Sequence, residues 1–283
     1  MKFGVALGRV NPSLFVDVAV EADRLGYESV WLPEHLVFPV VMTRSPYPGA
    51  DHPPVPPHTP VFDCFAYLSF LAARTTRIRL GTHVYNLALR HPFVAARAVQ
   101  TLDLVSEGRA EVGIGVGWLE SEWVAAGLDF HTRGARLDEA LGVCQQLWTE
   151  PVVAHHGVHF DFDEVMFEPK PVQKPWPPIH VGGESEAALR RAARAGDGWI
   201  GMGHTPESAA GVVAHLRALR EEFGRGGDRF EVTCSGTVET AEDVVRYEDA
   251  GVDRLIVAPW ARSREAIEGL GRAASEFGVR AER

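Results

Sequence analysis

Residues Met1–Leu32, MKFGVALGRVNPSLFVDVAVEADRLGYESVWL, set the repeating unit of the chain. Phe3–Leu7 is a short apolar run of β type. Leu14, Val18, Ala22 and Leu25 then recur at i, i+4, i+8 and i+11, one face of a 3.6-residue helix. Ser13 precedes that face as a candidate N-cap and Gly26 follows it as a candidate C-cap. Ser29–Leu32 is the next apolar run. Strand, helix, strand without a hairpin signal is a βαβ unit, whose strands lie parallel.

The alternation continues along the chain. Further β-type runs are Ile78–Val84, Ala110–Gly115, Ile179–Val181, Gly198–Gly201, Glu231–Ser235 and Arg254–Ala258. Helical stretches begin near Ser13, Val61, Pro92, Arg133, Glu184, Pro206, Thr240 and Arg262. Right-handed crossovers would allow an open doubly wound sheet or a closed barrel. The 283 residues and the count of eight favour the α/β (β/α)8 TIM barrel, for which about 250 residues before insertions is typical. Two proline-rich segments interrupt the pattern, 36–60 after strand two and 150–178 before strand five. Both read as long loops, of the kind that usually carries function. No internal repeat or linker divides the chain, so one domain over 1–283 is expected.

Composition narrows the function classes. Hydrophobic residues are 46% and charged residues 23%, a globular balance, and the net charge of −10 opposes nucleic acid. The opening apolar run is short and broken by Gly4, a first strand rather than a signal peptide. No apolar stretch approaches the ~20 residues that span a bilayer. Cys64, Cys144 and Cys234 are far apart and odd in number, against a disulfide framework or a cysteine metal site. These features predict a cytoplasmic protein with no nucleic-acid or membrane partner.

A barrel carries its active site where the strands end. Those positions hold Glu34 and His35 after strand two, Thr82, His83, Val84, Tyr85 and Asn86 at strand three, and Gly115–Trp118 after strand four. Gly182-Gly183 closes strand five; its backbone N–H groups could meet an anion at a helix N-terminus, or simply make a tight turn. The run Gly113-Ile114-Gly115-Val116-Gly117 either clears a wall for a flat ring or packs closely on a neighbouring strand. His35 and His83 lie at adjacent strand ends, which favours function over packing for the pair. His155, His156 and His159 lack a zinc-type spacing and read as a solvated loop, so no metal is expected.

Several segments together resemble the luciferase-like monooxygenase superfamily. They are Arg77–Val84, His91-Pro92, Thr101–Asp103, Ser106–Arg109, Gly113–Trp118 with Glu122, Arg133-Gly134 with Glu139, Pro178–Gly183 and Ala195–Trp199. The Pro-Glu-His after strand two and the Gly-Trp-x-x-x-Glu segment are most similar to the branch that uses the deazaflavin coenzyme F420, with FMN as the alternative. The resemblance implies a (β/α)8 barrel, a homodimer, and an isoalloxazine-type ring at the strand ends. It assigns His35 and Glu34 to catalysis near ring and substrate. It places a non-prolyl cis peptide at His83–Val84 behind the ring, with Thr82 and Asn86 beside it, and gives Gly182 and Gly183 to the cofactor phosphate. Trp118 and Ser121 stand where members that oxidise a sugar phosphate carry glutamate and asparagine, and Thr205 stands where they carry lysine. That argues against a sugar phosphate. The only lysines, Lys2, Lys170 and Lys174, lie elsewhere, so arginines or backbone would hold an anionic tail. Three activities follow as expectations: F420-linked hydride transfer, FMN-dependent monooxygenation, or non-catalytic flavin binding.

Overall fold

The computed structural model describes residues 1–42, 45 and 55–280. In chain order the elements are β1 (Lys2–Ala6), α1 (Phe15–Leu25), β2 (Ser29–Leu32), α2 (Cys64–Ala72), β3 (Arg79–Thr82), α3 (Pro92–Val105), β4 (Ala110–Ile114), α4 (Glu120–Ala125) and α5 (Arg133–Thr149). They continue with β5 (Val153–His156), β6 (Asp161–Val165), β7 (Ile179–Gly182), α6 (Glu186–Ala195), β8 (Gly198–Met202), α7 (Pro206–Glu222), β9 (Glu231–Ser235), α8 (Ala241–Asp249), β10 (Arg254–Val257) and α9 (Ala266–Phe277). Eight parallel strands close in the order β1-β10-β9-β8-β7-β4-β3-β2, the expected (β/α)8 barrel.

Local chemistry explains most boundaries. Val18 and Ala22 of α1 are buried and Leu14 and Leu25 pack on the core, so the periodicity does mark the inner face. Gly26 ends the helix at φ 92°, with its N–H on Ala22 and Asp23 carbonyls. The start differs from expectation. Asn11, not Ser13, does the capping: its side chain accepts from Ser13 N and opens a 3-10 turn before Phe15. The 150–178 segment is not wholly irregular either, because β5 and β6 pair antiparallel within it. Much of the 36–60 loop lies outside the described residues. Among the described residues no helix is long and apolar enough to cross a membrane.

The barrel interior is layered. Toward the N-terminal strand ends, fully buried Arg254 bridges Glu28 at 2.8 Å and Glu231 at 2.5 Å, with Glu111 at 3.7 Å. Glu111 also pairs with Arg79 and lies 2.5 Å from His180 Nε2. Burial alone would push the Glu111 carboxyl up, but Arg254, His180 and Arg79 outweigh it and hold it well below the usual range. Above this layer lies the Trp31 indole, fully buried, with Nε1 donating to Ser29 Oγ at 2.8 Å. Gly4 and Gly81, on the strands flanking β2, make room for it, since a Cβ at either would overlap the indole. Above Trp31, Ile200 and Ile256 with Ala6 and Val84 form an apolar floor at the C-terminal strand ends.

Candidate active site at the strand ends

The floor is shaped by the end of β3. The His83–Val84 peptide is cis, as the resemblance implied. Thr82 Oγ1 donates to Gly113 O at 2.8 Å and Tyr85 N to the same carbonyl at 2.7 Å, which binds the segment to β4. A Cβ at Gly115 would come within 2.6 Å of Val84 Cγ2, and one at Gly182 within 2.9 Å of Val84 Cγ1. A Cβ at Gly113 would run into Thr82 O. These glycines therefore admit the Thr82–Val84 segment rather than clear an empty wall, and Val84 is the surface they help to set. Gly117 serves a turn at φ 74°, against Trp123 and Asn86.

The two strand-end histidines differ in kind. His83 is half-buried as a residue but its ring is turned inward: Nε2 is buried without a partner among the described residues, and burial pushes the imidazole down to about 4, keeping it neutral near pH 7. His35 reaches the rim. Its Nδ1 lies 3.0 Å from Oε2 of Glu122, a carboxylate on α4 whose side chain is 0% exposed. Phe38 stacks obliquely on its ring at 4.6 Å and Trp118 meets it edge-on at 6.0 Å. No described residue hydrogen-bonds its Nε2, so that nitrogen is available to a ligand.

Glu34 is placed differently from its neighbour. Its carboxylate pairs with Arg90 Nη2 at 2.5 Å and accepts Asn86 N at 3.0 Å, while Arg90 covers the Tyr85 ring at 4.5 Å. It thus ties the end of β2 to the turn after β3, and both of its oxygens are engaged. Asn86 is buried beside this pair, whereas Ser121 is exposed on α4. Gly183 has φ 120° and its carbonyl accepts Trp199 Nε1 at 3.0 Å. Beyond it Ser185 caps α6, and Glu184 bridges Met202 N at 3.0 Å and His204 Nε2 at 2.9 Å. The structure thus gathers His35, Trp118, Val84, Gly182 and Gly183 around the barrel mouth, with Glu34, Thr82, His83 and Asn86 packed behind them. Sequence reasoning assigned no role to Arg90 or Phe38, and cited Glu122 only within a motif. One of two acids on a short helix such as α4 would ordinarily be taken for part of a solvated face; only the Gly-Trp-x-x-x-Glu spacing singles it out.

The fold defines a (β/α)8-barrel protein, with the candidate site at its strand ends. Residues 1–275 match the luciferase-like monooxygenase family, and the chain belongs to it. An uncharacterized protein of Mycobacterium tuberculosis is 31% identical over 259 residues, 91% of this chain and 88% of that one. The F420-dependent glucose-6-phosphate dehydrogenase of Kineococcus radiotolerans is 34% identical over 237 residues, 81% of this chain and 63% of that protein. Among solved structures, an F420-dependent secondary alcohol dehydrogenase bound to an F420-acetone adduct superposes with a TM-score of 0.79 at 16% identity, covering 99% of each chain. Monooxygenase RslO1 of Streptomyces bottropensis gives 0.78 at 22% identity, covering 98% of each. At these identities the two structures speak to the fold alone.

Proposed function

We propose that this chain is an oxidoreductase that transfers a hydride between coenzyme F420 and a small carbonyl or alcohol substrate, as one catalytic domain with His35 handling the proton. The carrying observation is the His35 ring, fastened through Nδ1 to a buried carboxylate, with no described residue hydrogen-bonded to Nε2. The residues present suit a flat ring: Val84 offers an apolar face backed by Ile200 and Ile256, and glycine backbone lies beside it at Gly182 and Gly183. When bound, a deazaflavin supplies a ring carbon that gives or accepts a hydride. Gly182, Gly183 and the first turn of α6 would offer backbone N–H groups to an anionic tail. His204 is already paired with Glu184, so backbone rather than a free side-chain cation is the main donor there. Phe38 and Trp118 pack against the His35 ring, whose Nε2 would donate to a carbonyl oxygen as it becomes a hydroxyl, or accept the proton in the opposite direction. The relative named as an F420-dependent dehydrogenase supports a deazaflavin over FMN. A cytoplasmic homodimer belongs to the same proposal.

Two measurements test it. Titration with F420 and with FMN should show selective F420 binding; selective FMN binding would turn the reading toward monooxygenation. Binding of either without turnover across carbonyls, enones and alcohols would favour a non-catalytic flavin protein. His35→Ala should lower turnover about 10²–10⁴-fold, the usual share of a general acid or base, while the protein stays folded and binds cofactor. Unchanged turnover would remove His35 from the chemistry.

A further inference from the structure

Glu122 is a fully buried acid on a short helix, and such a group needs compensation for the water it has lost. Its compensation is specific. Oε1 accepts from Leu36 N at 2.5 Å and Val37 N at 3.4 Å, while Oε2 faces His35 Nδ1 at 3.0 Å. A carboxylate only accepts, so the nitrogen facing it must carry the proton. The neutral His35 ring then holds hydrogen on Nδ1 and presents a lone pair on Nε2.

The geometry points to Glu122 as the positioning residue for His35, fixing its Nδ1–H tautomer so that Nε2 alone exchanges the proton with substrate; this rests on the function proposed above. In the alcohol-to-carbonyl direction the substrate O–H bond breaks, an Nε2–H bond forms, and the imidazolium is balanced by Glu122. With a deazaflavin bound, its ring carbon would take the hydride from the substrate carbon in the same turnover, which balances the two electrons. The reverse step returns the proton to oxygen. The same carboxylate holds the two peptide groups that follow His35, so ring orientation and loop path are set together.

Glutamine at this place has a forced consequence. Leu36 and Val37 N–H can only donate, so the amide oxygen must stay with them and the amide NH2 must face Nδ1. Nδ1 then has to accept, and the proton moves to Nε2. Glu122→Gln therefore inverts the tautomer in a side chain of the same shape, leaving Nε2 unable to take a proton.

The test pairs long-range ¹H–¹⁵N NMR of the histidine rings with turnover, cofactor titration and melting. Wild type should show His35 as Nδ1–H, and Glu122→Gln as Nε2–H. Turnover should fall about 10²–10⁴-fold with cofactor affinity kept. Should the glutamine variant not fold, Glu122→Asp, which keeps the carboxylate, should retain the Nδ1–H form and more turnover than His35→Ala. A wild-type Nε2–H tautomer, a glutamine or aspartate variant that departs from these tautomers, or an inverted tautomer with undiminished turnover would each overturn the inference. Loss of turnover in His35→Ala alone would overturn Glu122's role and leave the proposed function standing. No loss in either would bring down both.

Discussion

Arg254→Met replaces the cation at the centre of the barrel's lower layer with an apolar side chain of similar reach. Arg254 is 0% exposed and makes two 2.8 Å contacts to Glu28 and a 2.5 Å contact to Glu231. Some compensation survives, since Lys2 stays 2.5 Å from Glu231, and Arg79 and His180 stay on Glu111. Removing one partner of a buried ion pair costs about 3–5 kcal/mol. Unfolding entropy of about 2.1 cal/mol/K per residue, over 283 residues, converts that to a fall in Tm of about 5–8 °C. The pH dependence has a definite sign. In wild type Glu111 and Glu231 are held below 4.5, so their contribution is present above that value and is lost as pH falls toward their folded pKa. Without Arg254, the largest influence opposing burial at both sites, both carboxyls rise relative to wild type, so acidification relieves the variant by protonating them. Thermal denaturation followed by circular dichroism, from about pH 8 down to about pH 5, should show the gap widest at the alkaline end. A loss below about 1 °C there, or a gap that widens on acidification, would refute the account of a network centred on Arg254.

Gly115→Ala should drive a Cβ to within 2.6 Å of Val84 Cγ2, costing about 1–3 kcal/mol by overpacking and weakening cofactor binding, read by urea unfolding and equilibrium titration. Gly142→Ala, inside α5 with nothing within 4 Å of the new Cβ, should instead stabilise by up to about 1 kcal/mol and leave binding alone. His83 is depressed to about 4 by burial, so unfolded imidazole binds the proton first and stability drops as pH falls from 6.5 toward that value. His83→Leu should flatten that part of the curve; a slope equal to wild type would mean the ring is not buried neutral.

The barrel is readable from the chain because its signals are local and repeated. Each apolar run is short, the first helix shows one inward face, and all eight expected strands are in the closed sheet. The β5–β6 hairpin is not, because only Val153 among its residues is buried and prolines surround it, which suppresses the alternation a strand normally shows. At the site, strand ends point to His35 and Glu34 by position, but position does not say what each side chain bonds. Arg90 lies 56 residues from Glu34 and Glu122 lies 87 from His35, so neither pairing leaves a local trace. The glycines at 113 and 115 are ambiguous in sequence for a similar reason. Whether they face an opening or a neighbour depends on the path of β3, which only the folded chain defines.

Trp31 fills the barrel from the Gly4 side to the Gly81 side, with charged groups beneath it and the apolar floor above. An indole in that place is a partition. It stands between the Arg254 network below and the Val84 floor above. A ligand on the Val84 floor would be reached from the mouth, where Phe38 and Trp118 flank His35. Phe38→Ala, which removes one of those rings, should then alter proton delivery and substrate entry together.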